Sequence, residues 1–185
     1  MSHIAMKQAN VRFNYHDYLQ LPEDKRYEIL DGELCVVPAP NIRHQTIGLN
    51  LTVALYRHIK DNGLGLILDA PCDIVLSQEN VVQPDVVFVS SERLSIVGSA
   101  NISGPPDLVI EILSPGTRTR DLEIKRKLYA RFGVREYWIV DPETETVEVF
   151  CWTEAGYRTE ILVSRVGTLS SPLFPGLNLN LTEIF

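Results

Sequence analysis

The sequence predicts a layered α/β fold: a mixed sheet flanked by helices. Three observations predict it. Short aliphatic runs bounded by Gly, Pro and Asp read as strands, among them Val81–Ser90 and Asp107–Leu113. Two longer stretches carry apolar residues at helical spacing. The central order, helix, three strands, helix, strand, is that of helices packed on a sheet.

Each element can be justified in turn. Asn14–Leu21 reads as a short helix with Tyr15, Tyr18 and Leu19 on one face and Pro22 beyond it. Tyr27–Leu30 and Glu33–Val37 flank Asp31-Gly32, a strong hairpin signal, and Pro38-Ala39-Pro40 ends the second strand. Over His44–Asn62, Ile47, Leu51, Ala54, Leu55, His58 and Ile59 recur at helical spacing, and Gly63 supplies the stop. Leu64–Leu76 is expected to be a strand broken near Pro71. A turn at Ser77–Asn80 then leads into an antiparallel strand, Val81–Ser90. Residues 91–104 form a polar excursion with a short helix near 92–96, and Pro105-Pro106 opens the strand 107–113. Thr119 is expected to cap a helix over Arg120–Phe132 that Gly133 closes. Glu136–Val140 is a strand whose Tyr137 and Trp138 belong to the core. Val147–Trp152 and Tyr157–Val163 form a hairpin, Leu173–Leu177 is expected as loop, and Leu181–Phe185 packs on the body.

The bulk numbers bound the class. A chain of 185 residues, 45% hydrophobic and 22% charged, builds one core, expected as a single domain over 14–185 after an N-terminal extension, 1–13. The net charge of -7 argues against a general nucleic-acid binder, though an acidic body can carry a local basic face. Arg118, Arg120, Arg126, Lys127, Arg131 and Arg135 suggest such a face, or an ordinary solvated helix. Three scattered cysteines make neither a zinc motif nor a disulfide framework, so a cytoplasmic setting is expected. No stretch approaches the length of a membrane span.

The chemistry lies in acids placed where acids are costly. Glu111 stands in the middle of Leu108–Leu113, and Asp85 inside Val81–Val89. A carboxylate in a core strand must be paired or bind a cation. If the two strands are neighbours, Asp85 and Glu111 converge on one hard divalent ion, with the Ile112 carbonyl as a third oxygen ligand. The alternative is that Asp85 caps a turn and Glu111 pairs with an arginine. On the following helix, Lys125 lies within the apolar stripe of Leu122, Leu128, Tyr129 and Phe132, with Asp121 one turn earlier. There it could hold a water nucleophile or meet phosphate charge, or simply snorkel beside Asp121. Gln83 shares a strand face with Asp85 and is a supporting candidate, as is His44 at a helix start. Of the hairpin's acids, Glu33 is the candidate for a further acidic group, and Glu28 reads as structural.

In order and spacing these segments resemble the PD-(D/E)XK nuclease superfamily. They are most similar to its Uma-type branch of restriction-endonuclease-like proteins. The segments are Tyr27–Leu34, the His44-Gln45 helix start, Gln83–Val86, Pro106–Pro115, Arg120-Asp121 with Lys125 and Tyr129, Gly133–Pro142 and Pro175–Leu177. The resemblance implies a restriction-endonuclease-like fold and Mg²⁺-dependent hydrolysis of DNA, with Mn²⁺ as a substitute and a homodimer as the assembly. Asp85 matches the aspartate of the first acidic element and Glu111 the acid of the second. Leu113 stands where the superfamily places its lysine, and Lys125 is the migrated substitute. The missing in-motif lysine and the acidic net charge leave a second reading open, a non-catalytic binding or regulatory module on the same fold.

Overall fold

The structure is a computed structural model and describes residues 11–185; residues 1–10, most of the expected N-terminal extension, lie outside the described residues. Of that extension, Arg12 and Phe13 lie on the first hairpin, where Phe13 N donates to Gly32 O at 2.9 Å.

Two sheets meet in the core. The larger has six strands in the order β11-β10-β9-β8-β6-β3: β3 (Gly65–Asp69), β6 (Val86–Ser90), β8 (Leu108–Ile112), β9 (Glu136–Asp141), β10 (Thr146–Thr153) and β11 (Gly156–Ser164). It is mixed, because β8 and β9 run parallel while its other neighbours are antiparallel. The smaller has the order β2-β1-β5-β4-β7: β1 (Arg26–Leu30), β2 (Glu33–Val37), β4 (Ile74–Ser77), β5 (Asn80–Val82) and β7 (Ile102–Ser103). The hairpin forms at Asp31-Gly32, both with positive φ (48° and 78°), the conformation a two-residue turn of this hand requires.

Both faces of the large sheet are covered, and period-two alternation divides its side chains between them. Val86, Phe88, Leu108, Ile110 and Ile112 point into a core closed by helix α2 (Ile42–Asp61) through Ile47, Leu51, Leu55 and Ile59. Val87, Val89, Val109 and Leu113 point the other way, against the small sheet and helix α3 (Arg126–Phe132). Tyr137 and Trp138 are fully buried. A four-residue helix, α1 (Tyr15–Tyr18), is capped by Asn14 and packs beside β1.

Three expectations needed correction. Val81–Ser90 is two strands: β5 belongs to the small sheet and β6 to the large one, with Gln83-Pro84-Asp85 crossing between them. Pro84 has no N–H to give a ladder, so pairing stops there. Leu64–Leu76 does break near Pro71 and pair antiparallel, as expected, but its halves, β3 and β4, pair with β6 and β5 in different sheets. Second, Thr119 makes no cap. It already has helical backbone, and the turn starts on Ser114 O, which accepts from Thr117 N and Arg118 N. Third, the supposed loop 173–177 lies largely in a strand, β13 (Phe174–Asn180), paired with β12 (Thr168–Ser171). Leu177, Leu179 and Leu181 are buried at every second position, a strand signal that Pro175-Gly176 obscured.

Candidate active site

The crossing at Gln83–Asp85 places chemistry at the seam between the sheets. Asp85 immediately precedes β6, and Glu111 lies in β8, hydrogen-bonded alongside it. The Asp85 carboxylate accepts the Ile112 backbone N–H at Oδ2 (2.7 Å), so Asp85 is fixed to the strand that carries Glu111. Both acids line one cavity of about 40 Å³, with Glu28, His44, Gln83, Asp121 and Lys125.

Lys125 arrives from a π-helical turn, Arg120–Lys125, that runs directly into α3. The widened turn accepts a hydrogen bond from Tyr137 Oη on the backbone carbonyl of Asp121 (3.0 Å), and a side-chain hydroxyl reaching a helical carbonyl is a usual companion of such a turn. The Lys125 ammonium is buried and surrounded by carboxylates. Its Nζ is 2.8 Å from Glu28 Oε1, 3.0 Å from Glu111 Oε1 and 3.4 Å from Asp121 Oδ1. Tyr129 Oη donates to the same Glu111 oxygen at 2.8 Å.

Burial pushes the Glu111 carboxyl well above its ordinary value; Lys125 opposes this, while Asp121, Asp85 and Glu28 add to it. Burial also raises Asp121, against the pull of Lys125. For Lys125 burial acts to lower the value, but three carboxylates outweigh it and the amine is held well above its usual range. It is therefore an ammonium at neutral pH, a donor and a positive charge, and it cannot serve as a base.

His44, in the first turn of α2, places Nε2 3.2 Å from Asp85 Oδ2. Burial lowers its basicity, and the hydrogen bond and charge of Asp85, helped by the Ile112 backbone, more than restore it, so the net shift is upward. Gln83 is clamped on every side. Its backbone N–H donates to Glu28 Oε1 (2.9 Å), its Nε2 donates to Asp73 Oδ1 (2.6 Å) and Tyr18 Oη (3.1 Å), and its Oε1 accepts from Arg26 Nε (2.8 Å).

The structure thus brings together Asp85, Glu111, Ile112, Lys125, Asp121, His44 and Gln83. It does not bring Glu33, which is exposed at the turn end of β2 and does not line the cavity. The acid from this hairpin is Glu28, buried and closest of the three to Lys125. The same signal that marks Asp85 and Glu111, an acid in an aliphatic strand (Tyr27-Glu28-Ile29-Leu30), was present. Arg120 is also a member, 3.7 Å from Glu28 Oε2. The basic face suggested by the sequence is largely neutralised: Arg118 pairs with Asp141, Arg131 with Asp31 and Arg135 with Asp107, while Arg126 covers the Phe150 ring.

The donors facing the cavity fit a hard divalent cation. They include carboxylates, and among the described residues two buried oxygens, Glu28 Oε2 and Asp121 Oδ1, have no hydrogen-bond partner. Among the described residues no three His, Cys, Asp or Glu side chains already surround one point.

Fold and site together define a layered α/β protein with an acid-and-lysine cluster at the seam of two sheets. The chain belongs to the Uma2 family, described as "Putative restriction endonuclease", which matches residues 15–182. A structure described as a putative nuclease belonging to DUF820, from Anabaena variabilis, shares the fold. Its TM-score is 0.76 over 94% of this chain and 97% of that one, at 20% identity. An uncharacterized protein of Synechocystis sp. is 27% identical over 138 residues, 72% of this chain and 71% of the relative. Among the described residues no helix is long and apolar enough to cross a membrane.

Proposed function

We propose that this protein is a metal-dependent endonuclease that hydrolyses DNA phosphodiester bonds. The observation that carries the reading is the convergence of Asp85, Glu111 and Lys125, from three separate segments, on one small cavity. Asp85, Glu111 and the Ile112 carbonyl would hold Mg²⁺, or Mn²⁺ in its place. The ion would lower the pKa of a water nucleophile and offset charge on the phosphate.

The chain's own groups divide the remaining work. Ile112 N–H and His44 both engage Oδ2 of Asp85, which orients that carboxylate and, among the described residues, leaves Oδ1 without a partner. Lys125 stays protonated and supplies positive charge beside Glu111, where charge grows on the phosphate. Glu28 and Asp121 hold the ammonium in place. In a homodimer two such sites would address the two DNA strands; sedimentation at a single boundary of monomer mass would refute that assembly.

The test is nicking of supercoiled plasmid with Mg²⁺ or Mn²⁺, beside Asp85→Ala. Metal-dependent nicking by the native protein alone is expected. Equal nicking by both proteins would sink the assignment. Two observations favour a second reading, a binding module without catalysis. Leu113, at the lysine's usual place, is buried in an apolar cluster, and Lys125 is fully engaged by carboxylates. DNA binding with no cleavage in either metal would select it.

A further inference from the structure

Among the described residues lining this site, Arg26 is the cation that no acid pairs with. It stands at the start of β1, half-buried, and lines both the acidic cavity and an adjoining groove of about 240 Å³. The groove continues past His44, Gln45, Gly48 and Asp69 toward the surface. Among the described residues Arg26 has no carboxylate within salt-bridge distance, although Glu28 and Asp85 line the same cavity. Among the described residues its side-chain hydrogen bonds go to Gln83, from Nε to Oε1 at 2.8 Å and from NH2 to the backbone O at 3.4 Å.

Those two bonds fix the plane of the guanidinium. Gln83 cannot turn away, because its Nε2 is committed to Asp73 Oδ1 and Tyr18 Oη, and Tyr18 Oη itself donates to Asp73 Oδ1 at 2.8 Å. An arginine held through Nε on one side keeps NH1 and part of NH2 for another acceptor. Its fixed fork matches two oxygens of a phosphate. Holding such a group rigidly before the ligand arrives lowers the ordering cost of binding.

We propose that Arg26 binds a backbone phosphate of the DNA strand entering the site, in the groove beside Asp85, and that Tyr18, Asp73 and Gln83 position it. This rests on the nuclease reading for the identity of the ligand. The role is sequence-independent: Arg26 sets strand register relative to Asp85 and Glu111 and reads no base.

The test is binding of a fluorescein-labelled duplex DNA with Ca²⁺ in place of Mg²⁺, measured by anisotropy across a salt series. Arg26→Ala is expected to weaken binding about 10–100-fold, the loss of one charged hydrogen-bonded contact. It is also expected to reduce the salt slope by about one. Arg26→Lys should restore the slope but only part of the affinity, because the charge returns without the fork. Mn²⁺ affinity, read by calorimetry, should be unchanged in both variants. Native-like binding and slope in Arg26→Ala, with DNA still cleaved by the native protein, would overturn this assignment alone. A lowered melting temperature with an unchanged salt slope would also overturn it, by making Arg26 a strand-end brace. No DNA binding by the native protein would remove both this inference and the nuclease reading.

Discussion

Replacing Lys125 with methionine keeps most of the side-chain stem and deletes the charge. In the native fold that charge is shared among Glu28 (2.8 Å), Glu111 (3.0 Å) and Asp121 (3.4 Å), all buried. Among the described residues the other cation within salt-bridge distance of these acids is Arg120, 3.7 Å from Glu28. Removing one partner from a buried ion cluster costs about 3–5 kcal/mol, because the remaining charges are left uncompensated in a poor solvent. That is a large part of the 5–15 kcal/mol or so by which a domain is stable. The variant also acquires a pH dependence. The folded Glu111 carboxyl already lies above its unfolded value of 4.5, and loss of Lys125, the cause that lowers it, raises it further. A group with a raised folded value binds its proton more tightly when folded, so stability is complete below the unfolded value and falls as pH rises through the folded one. The deficit of Lys125→Met should therefore be smaller near about pH 5.5 than near about pH 8. Urea unfolding at the two pH values measures it. A deficit below about 1 kcal/mol at the higher pH would place this amine in water, at the level of an exposed ion pair, and refute the buried cluster.

Three further outcomes follow from the same packing. Glu136 is buried and accepts from Trp138 Nε1 (2.8 Å), Ser171 Oγ (2.8 Å) and Leu173 N (2.7 Å), so Glu136→Ala should lose about 2–4 kcal/mol in chemical denaturation by stranding those donors. Asp107 is buried, which raises its carboxyl, but the Ser90 backbone N–H and Arg93 outweigh burial and hold it below 3.8. With a depressed folded value its contribution is complete above the unfolded value and is lost as pH falls through the folded one, so Asp107→Asn should flatten the acid end of the stability profile. Leu113→Lys, which places a lysine where the superfamily has one, should lose about 3 kcal/mol or more and gain no nicking activity, because the position faces an apolar cluster. A folded, more active variant would contradict that placement.

The parts of the site that could be read from sequence were those that broke a local rule. Glu111 is a charge in an unbroken aliphatic strand, and Lys125 is a charge within a helical apolar stripe; each violation needed a partner, and the structure makes them partners of one another. Glu28 broke the same rule between Tyr27 and Ile29, yet sequence ranked it below Glu33. The difference is register. Leu30 faces Glu33 across a two-residue turn, so Glu33 is at the exposed tip, while Glu28 is two residues deeper and faces the core. Hairpin geometry alone could have given that order.

The sheet crossings were harder to read, for a physical reason. A continuous apolar run such as Val81–Ser90 satisfies strand periodicity whether it stays in one sheet or changes sheets at Pro84. Which sheet each half joins depends on pairing with β1 and β8, contacts distant in sequence that no local pattern encodes. That crossing is also what makes the site. Asp85, just before β6, keeps its backbone paired, N–H to Ile110 O (3.2 Å) and O from Ala70 N (3.0 Å), while its carboxylate accepts from Ile112 N and the Gln83 backbone N–H reaches Glu28. The proline that interrupts pairing is thus the link through which a local backbone restriction gathers acids from two sheets around one lysine.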